Sequence, residues 1–269
     1  VYTRNTFTRD YSNSVLNTHG GKLTENDKRF LTQTYTEQII WDKDFGQHHV
    51  DAFLGHESHS ENSATKEEIK QNEVLKNNHT LTNFQEVYKV TGGEDNYRTE
   101  SYIARGRYNY ANKYYFEASY RRDGSSRFYK TNRWGNFFSV GGSWAIFREP
   151  WMKPAEPYVQ NLKLRASYGQ VGNDQSVGRY AWMGTYQNNG YTYGGLAFFN
   201  KSSNENTDLV WESTNSFGIA VEGRIMHRLN FCIEYFDKMS KDLLFDVTMP
   251  LSTGVTSATK DNPKLTRNI

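Results

Sequence analysis

Apolar and polar residues alternate with a period of two along several stretches of the chain. In Ser101–Tyr110 one face carries tyrosine, alanine and glycine, and the other carries Arg105 and Arg107. Alternation of this kind predicts half-buried antiparallel strands. It recurs over Tyr115–Arg121, Phe137–Trp144, Leu162–Tyr168, Ser216–Glu222 and Leu229–Phe236, and in weaker form over Phe30–Trp41 and His49–Glu57. We therefore expect about eight strands, and a ninth is suggested near Val1–Arg9.

The connections between these strands differ in length at the two ends of the predicted sheet. The short ones are Asp44–His48, Ala111–Lys113 and Met226–Arg228, and the long ones are about Ser58–Thr99, Arg122–Arg133 and Gly169–Asp208. The proline-containing segment Phe147–Gln160 is intermediate and predicts an irregular turn. Bacterial outer-membrane barrels have long outer loops and short periplasmic turns. The pattern therefore predicts an all-β, antiparallel transmembrane β-barrel with long extracellular loops.

The longest connection, Ser58–Thr99, is polar and contains charged runs such as Lys66-Glu67-Glu68. We expect it to be a solvated outer loop, with a short helix around Ala64–Lys76. Aromatic residues instead concentrate near the short connections: Trp41, Phe45, Tyr108, Tyr110, Tyr114, Trp144, Phe147 and Trp151. Amphipathic rings favour the boundary between membrane and water, so this concentration indicates one aromatic girdle. Ordinary strand aromatics are the alternative, because rings are enriched in strands.

Composition narrows the class of protein further. Phenylalanine, tryptophan and tyrosine make up 15% of the 269 residues, and disordered chains are poor in these residues. The net charge of +2 argues against a dedicated nucleic-acid-binding protein. The single cysteine, Cys232, excludes an intrachain disulfide and a cysteine-based zinc site. No apolar stretch approaches the length of about 18 residues that a transmembrane helix needs.

The polar face of the predicted strands carries many charged side chains. They are Arg105, Arg107, Glu117, Arg121, Lys163, Arg165, Glu222 and Glu234. Unpaired buried charge is costly, and the lumen of an eight-stranded barrel is only wide enough for packed side chains. We therefore expect these residues to face the lumen of a wider barrel that is filled by water or by another domain.

Several motifs, in order along the chain, resemble the barrel of the SusC/RagA-like TonB-linked outer-membrane transporters. The most specific is Arg121-Arg-Asp-Gly-Ser-Ser-Arg-Phe128, within the run Glu100–Phe128. The others are Asp44–His49, Phe53–Glu57, Asn132–Trp144, Asn161–Asn173, Leu209–Asn215, Tyr235–Phe245 and Leu251–Val255. The resemblance covers roughly residues 28–269 and corresponds to the middle part of the barrel.

The resemblance implies a 22-stranded barrel filled by an N-terminal plug and paired with a SusD-like surface lipoprotein. Such a protein lies in the outer membrane of a Gram-negative bacterium. It imports oligosaccharides, or in some members peptides, using TonB and the proton-motive force. We expect residues 1–269 to form a partial barrel domain of about eight strands, in which the plug, the TonB box and the final strands are absent. No cofactor and no enzymatic activity are implied.

The outer loop Gly169–Asp208 is the predicted substrate contact. Its rings are Tyr180, Trp182, Tyr186, Tyr191, Tyr193, Phe198 and Phe199, and they lie among asparagine, glutamine and glycine. Flat rings beside amides suit the faces of sugars or the side chains of peptides. A loop that packs on itself, or that contacts the partner lipoprotein, is an equally open alternative.

Two other clusters suggest chemistry less strongly. The set His48, His49, Asp51, His56, Glu57 and His59 contains metal-ligand types, but residues eight apart on a strand lie about 26 Å from each other. In the Arg121–Phe128 run, Asp123-Gly124 predicts a turn whose flanking arginines pair with carboxylates on neighbouring strands or on the plug. Neither cluster predicts a metal or catalytic site.

Two alternatives remain open beside the transporter. One is a self-contained small outer-membrane barrel or a secreted β-sandwich binding module. The other is a β-rich carbohydrate enzyme, which requires an acid/base pair of carboxylates. Glu212, Glu222 and Glu234 form no such pair at any predictable distance, so this alternative is the weaker one.

Overall fold

The computed structural model describes residues 2–9, 21–188, 192–248, 250, 252, 257–262 and 267–268. Ten of its strands form one sheet, in the order β1-β2-β3-β4-β5-β6-β7-β12-β13-β16. These strands are β1 (Tyr2–Arg9), β2 (Lys22–Phe45), β3 (His48–Glu73), β4 (Phe84–Tyr110), β5 (Tyr114–Ser125), β6 (Trp134–Ala145), β7 (Val159–Asn173), β12 (Glu212–Ile225), β13 (Leu229–Lys241) and β16 (Arg267–Asn268). Neighbouring strands follow the order of the chain, so the all-β antiparallel prediction is confirmed.

Six shorter strands lie outside this sheet. They are β8 (Tyr186–Gln187), β9 (Thr192–Tyr193), β10 (Leu196–Ala197), β11 (Asn200–Lys201), β14 (Leu243–Thr248) and β15 (Ser257–Asn262). The helical elements of the described ranges are 3-10 turns at Leu81–Asn83, Ile146–Arg148 and Pro150–Ala155, and Ser252 is also in 3-10 conformation. None of the helices described is long and apolar enough to cross a membrane.

Each of the eight predicted strands lies within a strand of the sheet, and the suggested ninth corresponds to β1. The prediction of a loop over Ser58–Thr99 with a helix around Ala64–Lys76 was wrong. β3 continues to Glu73 and β4 begins at Phe84. The pattern hid these strands because they are polar on both faces, so no apolar alternation marked them. Lys89 pairs with Glu67 across the two strands at 2.7 Å, and the Gln71 amide donates to Glu86 at 2.9 Å.

The chain divides into two compact units, of which the first comprises residues 1–34 and 59–98. Leu23 and Phe84 are fully buried in it. Its turn between β3 and β4 is closed by the buried Asn83. The Asn83 amide donates to the carbonyls of Leu75 at 2.7 Å and Asn78 at 2.8 Å, and its oxygen accepts from the Leu75 N–H.

The second unit comprises residues 35–58 and 99–269, and it holds every predicted substrate-contact residue and every predicted lumen-facing charge. Its short turns use left-handed backbone at non-glycine residues: φ is +52° at Ala111, +57° at Asn112, +51° at Met226 and +58° at His227. Left-handed residues at both central positions give a hairpin turn whose twist matches that of the strands. The turns between β4 and β5 and between β12 and β13 are therefore tight, as the short connections predict.

Candidate functional site

The two faces of the sheet in the second unit differ sharply in chemistry. On one, here called the apolar face, large hydrophobic side chains are exposed. They include Tyr102, Tyr108, Phe116, Tyr120, Phe138, Val140, Tyr168, Phe217, Ile219, Ile233 and Tyr235. The strand registers place them on one side, since Tyr108 pairs with Phe116, Tyr120 with Phe138 and Ile219 with Tyr235. Exposed apolar surface of this extent marks an interaction with a membrane or another protein.

The opposite face, here called the polar face, carries the charged residues that the sequence singled out. Arg105, Arg107, Glu117, Arg121, Lys163 and Arg165 all share it by register. Arg165 bridges two strands, with Nε 2.6 Å from Glu222 Oε1 and Nη2 3.1 Å from Glu234 Oε2. The charges of Arg165, Glu222 and Glu234 are therefore paired across strands, as costly desolvation requires.

A second ion-pair group on the polar face centres on Asp51, whose side chain is only 6% exposed. Its Oδ1 lies 2.7 Å from Arg107 Nε and 3.8 Å from Arg105 Nη2. The sequence suggested Asp51 only as a poor metal ligand, because nothing in the pattern shows which strand carries its partner. Between the two groups the polar face is concave, with a cavity of about 820 Å³ that small residues such as Ser139, Gly141 and Ser167 line.

The aromatic residues at the short-turn end form a continuous row. Ring centroids are 6.3 Å apart for Tyr110–Tyr114, 6.2 Å for Tyr114–Trp144 and 6.4 Å for Trp144–Trp151. The row surrounds the buried Glu149 in the turn after β6, where the Tyr114 hydroxyl donates at 2.6 Å and the Trp144 indole at 3.0 Å. These two hydrogen bonds, with the Lys113 ammonium at 3.2 Å, hold the pKa of the Glu149 carboxyl below its ordinary value.

A second aromatic row lies at the long-loop end of the apolar face, and the sequence analysis missed it. Tyr102 stacks on His56 with centroids 5.1 Å apart and lies 6.0 Å from Trp134, whose ring carries the Arg122 guanidinium at 5.0 Å. The eight residue steps from Tyr102 to Tyr110 span about 26 Å along the strand, or about 20 Å along an axis tilted by about 40°. That separation approaches the apolar band of about 25 Å that membrane barrels show.

The Arg121–Phe128 run differs from its prediction. Asp123 and Gly124 lie within β5 and do not form a turn, because the strand continues to Ser125 before the chain reverses. Arg121 Nε pairs with Asp123 of its own strand at 2.7 Å rather than with a carboxylate of a neighbouring strand, and Arg121 Nη2 also donates to Ser101 Oγ of β4 at 3.1 Å. Arg121 and Asp123 lie on the same face of one strand, so their side chains pair with each other. The sequence did not indicate this pairing, because Asp-Gly has a high turn propensity.

The end of that run anchors the loop between β7 and β12. The buried Ser125 hydroxyl donates to Asp174 Oδ2 at 2.6 Å, and the Arg127 guanidinium contacts the same carboxylate and the Val177 carbonyl. Phe128 is fully buried in a cluster with Val177, Leu209 and Leu244. Trp182 and Trp211 pack against this cluster, and their indoles donate to the carbonyls of Ser126 at 3.2 Å and Arg133 at 2.9 Å.

The same loop contains a small hairpin with two short ladders. β8 pairs with β11, and β9 pairs with β10 through Gly194 and Gly195, whose φ angles are +59° and +81°. At its base the Thr185 and Ser203 hydroxyls lie 2.7 Å apart. We predicted a loop for this segment, because strands of two residues produce no periodic pattern in the sequence.

The predicted substrate-contact residues divide between the hairpin and its anchor. Tyr186 is 68% exposed and Tyr193 is 83% exposed, and Tyr180 and Phe198 are also exposed. Trp182 instead packs into the loop anchor. Tyr191 lies outside the described residues. Exposed Leu196 and Phe199 extend the apolar surface beside Tyr193.

In the histidine-rich cluster for which no metal site was predicted, His48 bonds to the Tyr108 hydroxyl at 2.7 Å, and the other histidines contact separate carboxylates. His49 lies between Asp42 and Asp44, and His56 lies between Glu37 and Glu100. No three histidine, cysteine or acidic residues within the described ranges are close enough together to hold a metal ion.

Similarity to known proteins was found at the level of single relatives, and no protein-family profile matches the chain. The chain is 37% identical to the TonB-dependent receptor P39 of Formosa agariphila over 179 residues, which is 65% of the chain and 17% of that relative. It is 30% identical to receptor P26 of the same organism over 284 residues, covering 94% of the chain and 28% of the relative. It is 32% identical to the TonB-dependent receptor SusC of Bacteroides thetaiotaomicron over 177 residues, covering 63% and 17%.

A solved structure, that of the RagAB peptide transporter, shares the fold. It superimposes with a TM-score of 0.87 at 24% sequence identity, covering 96% of this chain and 29% of the matched chain. The chain thus spans less than a third of the length of each of these relatives.

Proposed function

We propose, since this chain belongs to the SusC/RagA-like family of TonB-dependent transporters, that it forms part of the barrel wall of an outer-membrane importer. The observation that carries this proposal is the two-faced sheet. Its apolar face suits lipid, and its paired charges suit an interior that is filled by water or by a plug domain. The two aromatic rows at the ends of the apolar face suit the two membrane–water boundaries.

The imported substrate in this proposal is an oligosaccharide or a peptide. The hairpin between β8 and β11 supports it, because Tyr186, Tyr193 and Phe198 present exposed rings on a segment anchored to the barrel. Rings stack on sugar faces and on peptide side chains alike, so the hairpin suits either class. A SusD-like lipoprotein at the cell surface and TonB in the periplasm complete the importer that we propose.

The membrane orientation of the sheet is tested with its single cysteine. Cys232 pairs with Glu222 in the register and lies on the polar face, whereas the next residue, Ile233, lies on the apolar face and is 70% exposed. The protein is reconstituted in phosphatidylcholine vesicles, and the labelling of Cys232 is compared with that of a C232S/I233C variant. A charged thiol reagent should favour Cys232, and an apolar reagent should favour the cysteine introduced at Ile233.

Similar preference of both cysteines for the charged reagent would contradict a lipid-facing apolar face and would favour a soluble sandwich. A cysteine introduced at Tyr193 in the C232S background is the control, because that exposed tip should react with the charged reagent in either case. Import itself is tested with labelled oligosaccharides and labelled peptides in cells that express the protein. An uncoupler of the proton-motive force should abolish uptake of whichever class is carried.

A further inference from the structure

The long-loop end of the apolar face carries two hydrogen-bond donors side by side. Arg122 of β5 pairs directly with Asn136 of β6 in the register, and both side chains are exposed. Trp134 and Tyr102, from the second aromatic row, lie next to Arg122. Where such a face contacts lipid, a charged group on it is costly unless a partner of opposite charge is present.

Among the described residues, the contacts of Arg122 leave its N–H donors free. The guanidinium lies over the Trp134 ring at 5.0 Å, a contact that uses the face of the group and not its N–H edges. Within the part of the chain that the structure describes, no carboxylate accepts from Arg122. Asn136 accepts through Oδ1 from the Tyr120 hydroxyl at 2.7 Å, which leaves its amide N–H groups available beside the guanidinium.

The acidic residue that the neighbouring strand β4 places on this face is already paired. Glu100 pairs with Gly124 in the register, two residues from the Tyr102–Arg122 pair. Its carboxylate contacts His56 Nε2, and Glu37 lies 3.6 Å from the other ring nitrogen. Arg122 therefore carries a positive charge that the neighbouring strands do not neutralise.

We propose that Arg122 and Asn136 bind the phosphate of an anionic lipid headgroup at the outer boundary of the membrane. This inference rests on the proposed function, since it requires the apolar face to contact lipid. A guanidinium presents parallel N–H donors that match two phosphate oxygens. Tyr120 and Phe138 lie further into the apolar face and are 45% and 49% exposed, so they are placed to contact the acyl chains of the same lipid.

The experiment measures binding of phosphatidylglycerol to the purified, delipidated protein by native mass spectrometry. R122Q should weaken binding about fivefold, because a basic residue near a membrane surface contributes an attraction of about 1 kcal/mol. R122K should lie between R122Q and the unchanged protein, because it keeps the charge and loses the paired donors. The matched control is R121Q, which removes the same charge from the adjacent residue on the polar face and should leave binding unchanged.

Three outcomes overturn the inference. Equal binding by R122Q and the unchanged protein excludes Arg122 from the site. Equal losses of lipid binding in R121Q and R122Q would show that binding depends only on the net charge of the protein. Displacement of the lipid by inorganic phosphate alone, at millimolar concentration, identifies a free-anion site instead of a headgroup site. A protein that is absent from the membrane fraction refutes the proposed function itself, whereas a membrane-inserted protein with unaltered R122Q binding refutes only the lipid site.

Discussion

Replacing Phe128 by alanine tests whether the Arg121–Phe128 run anchors the loop between β7 and β12. Phe128 is fully buried among Val177, Leu209 and Leu244, and its ring lies 5.2 Å from that of Trp211. Truncation of a fully buried phenylalanine costs about 3–5 kcal/mol. If that energy stabilises the closed loop, opening becomes about a hundred- to about four-thousandfold more frequent, since about 1.4 kcal/mol corresponds to a factor of ten.

The assay is amide hydrogen exchange of the protein in lipid vesicles. Exchange should accelerate in the turn after β5 and in residues 174–188 and 200–211, and it should stay slow in the centres of β6 and β7. The strand centres are protected by continuous pairing on both sides, from Ser139–Gly169 to Ala145–Lys163 and onward to β12. Local opening is thus separable from global unfolding.

The control is F198A, which removes a ring of the same type from a site that is 49% exposed. Exposed positions away from packed contacts change stability by only about 0.5 kcal/mol or less, so exchange at the loop anchor should be unaltered. Unchanged exchange in F128A would refute the anchor. Acceleration across the whole sheet would show that Phe128 supports the barrel wall and not the loop specifically.

Three further predictions follow from the turns and the hairpin. A111G should raise the free energy of unfolding by about 0.5–1 kcal/mol in a urea titration, because glycine relieves the left-handed strain at φ +52°, whereas A104G in the middle of β4 should lower it. The folded pKa of Glu149 lies below its unfolded value of 4.5. The ionised Glu149 carboxylate therefore stabilises the fold above pH 4.5, and this stabilisation is lost as pH falls through the folded pKa. Tryptophan fluorescence should therefore report acid-induced loosening of the short-turn row, and E149Q should remove that pH dependence. Y193A should reduce substrate uptake without altering exchange in β6 or β7, and Y108A on the apolar face, as the matched tyrosine loss, should leave uptake intact.

The fold was predictable where a strand has one apolar and one polar face. Ser101–Tyr110 and Leu229–Phe236 alternate cleanly, and both lie within strands of the sheet. The first halves of β2 and β4 and the second half of β3 carry polar residues on both faces, so period-two hydrophobicity is absent there. Pairing across the strands, such as Lys89 with Glu67, is a property of the folded register that one strand's sequence does not display.

For the candidate site, the sequence predicted only which face of a strand each side chain lies on, because apolar and polar residues alternate along the strand. Arg105, Arg107 and Arg165 share one face as expected, but their partners Asp51, Glu222 and Glu234 are set by the registers of neighbouring strands. The rings of the hairpin segment were found by composition, whereas the burial of Trp182 depends on a long-range contact with the turn after β5. Sequence spacing carries no information about contacts between residues that lie 50 or more positions apart in the chain.

The Arg121–Phe128 run shows why one short motif resists a single interpretation. Successive residues of a strand point to opposite faces, so Arg121 lies on the polar face beside Asp123, and Arg122 lies on the apolar face over Trp134. Where the strand ends, this alternation ends with it, and Ser125 and Phe128 turn into the base of the neighbouring loop. Three adjacent environments therefore meet within eight residues. A charge-reversing substitution at either arginine thus tests a different surface of the protein, although the two side chains are neighbours in the chain.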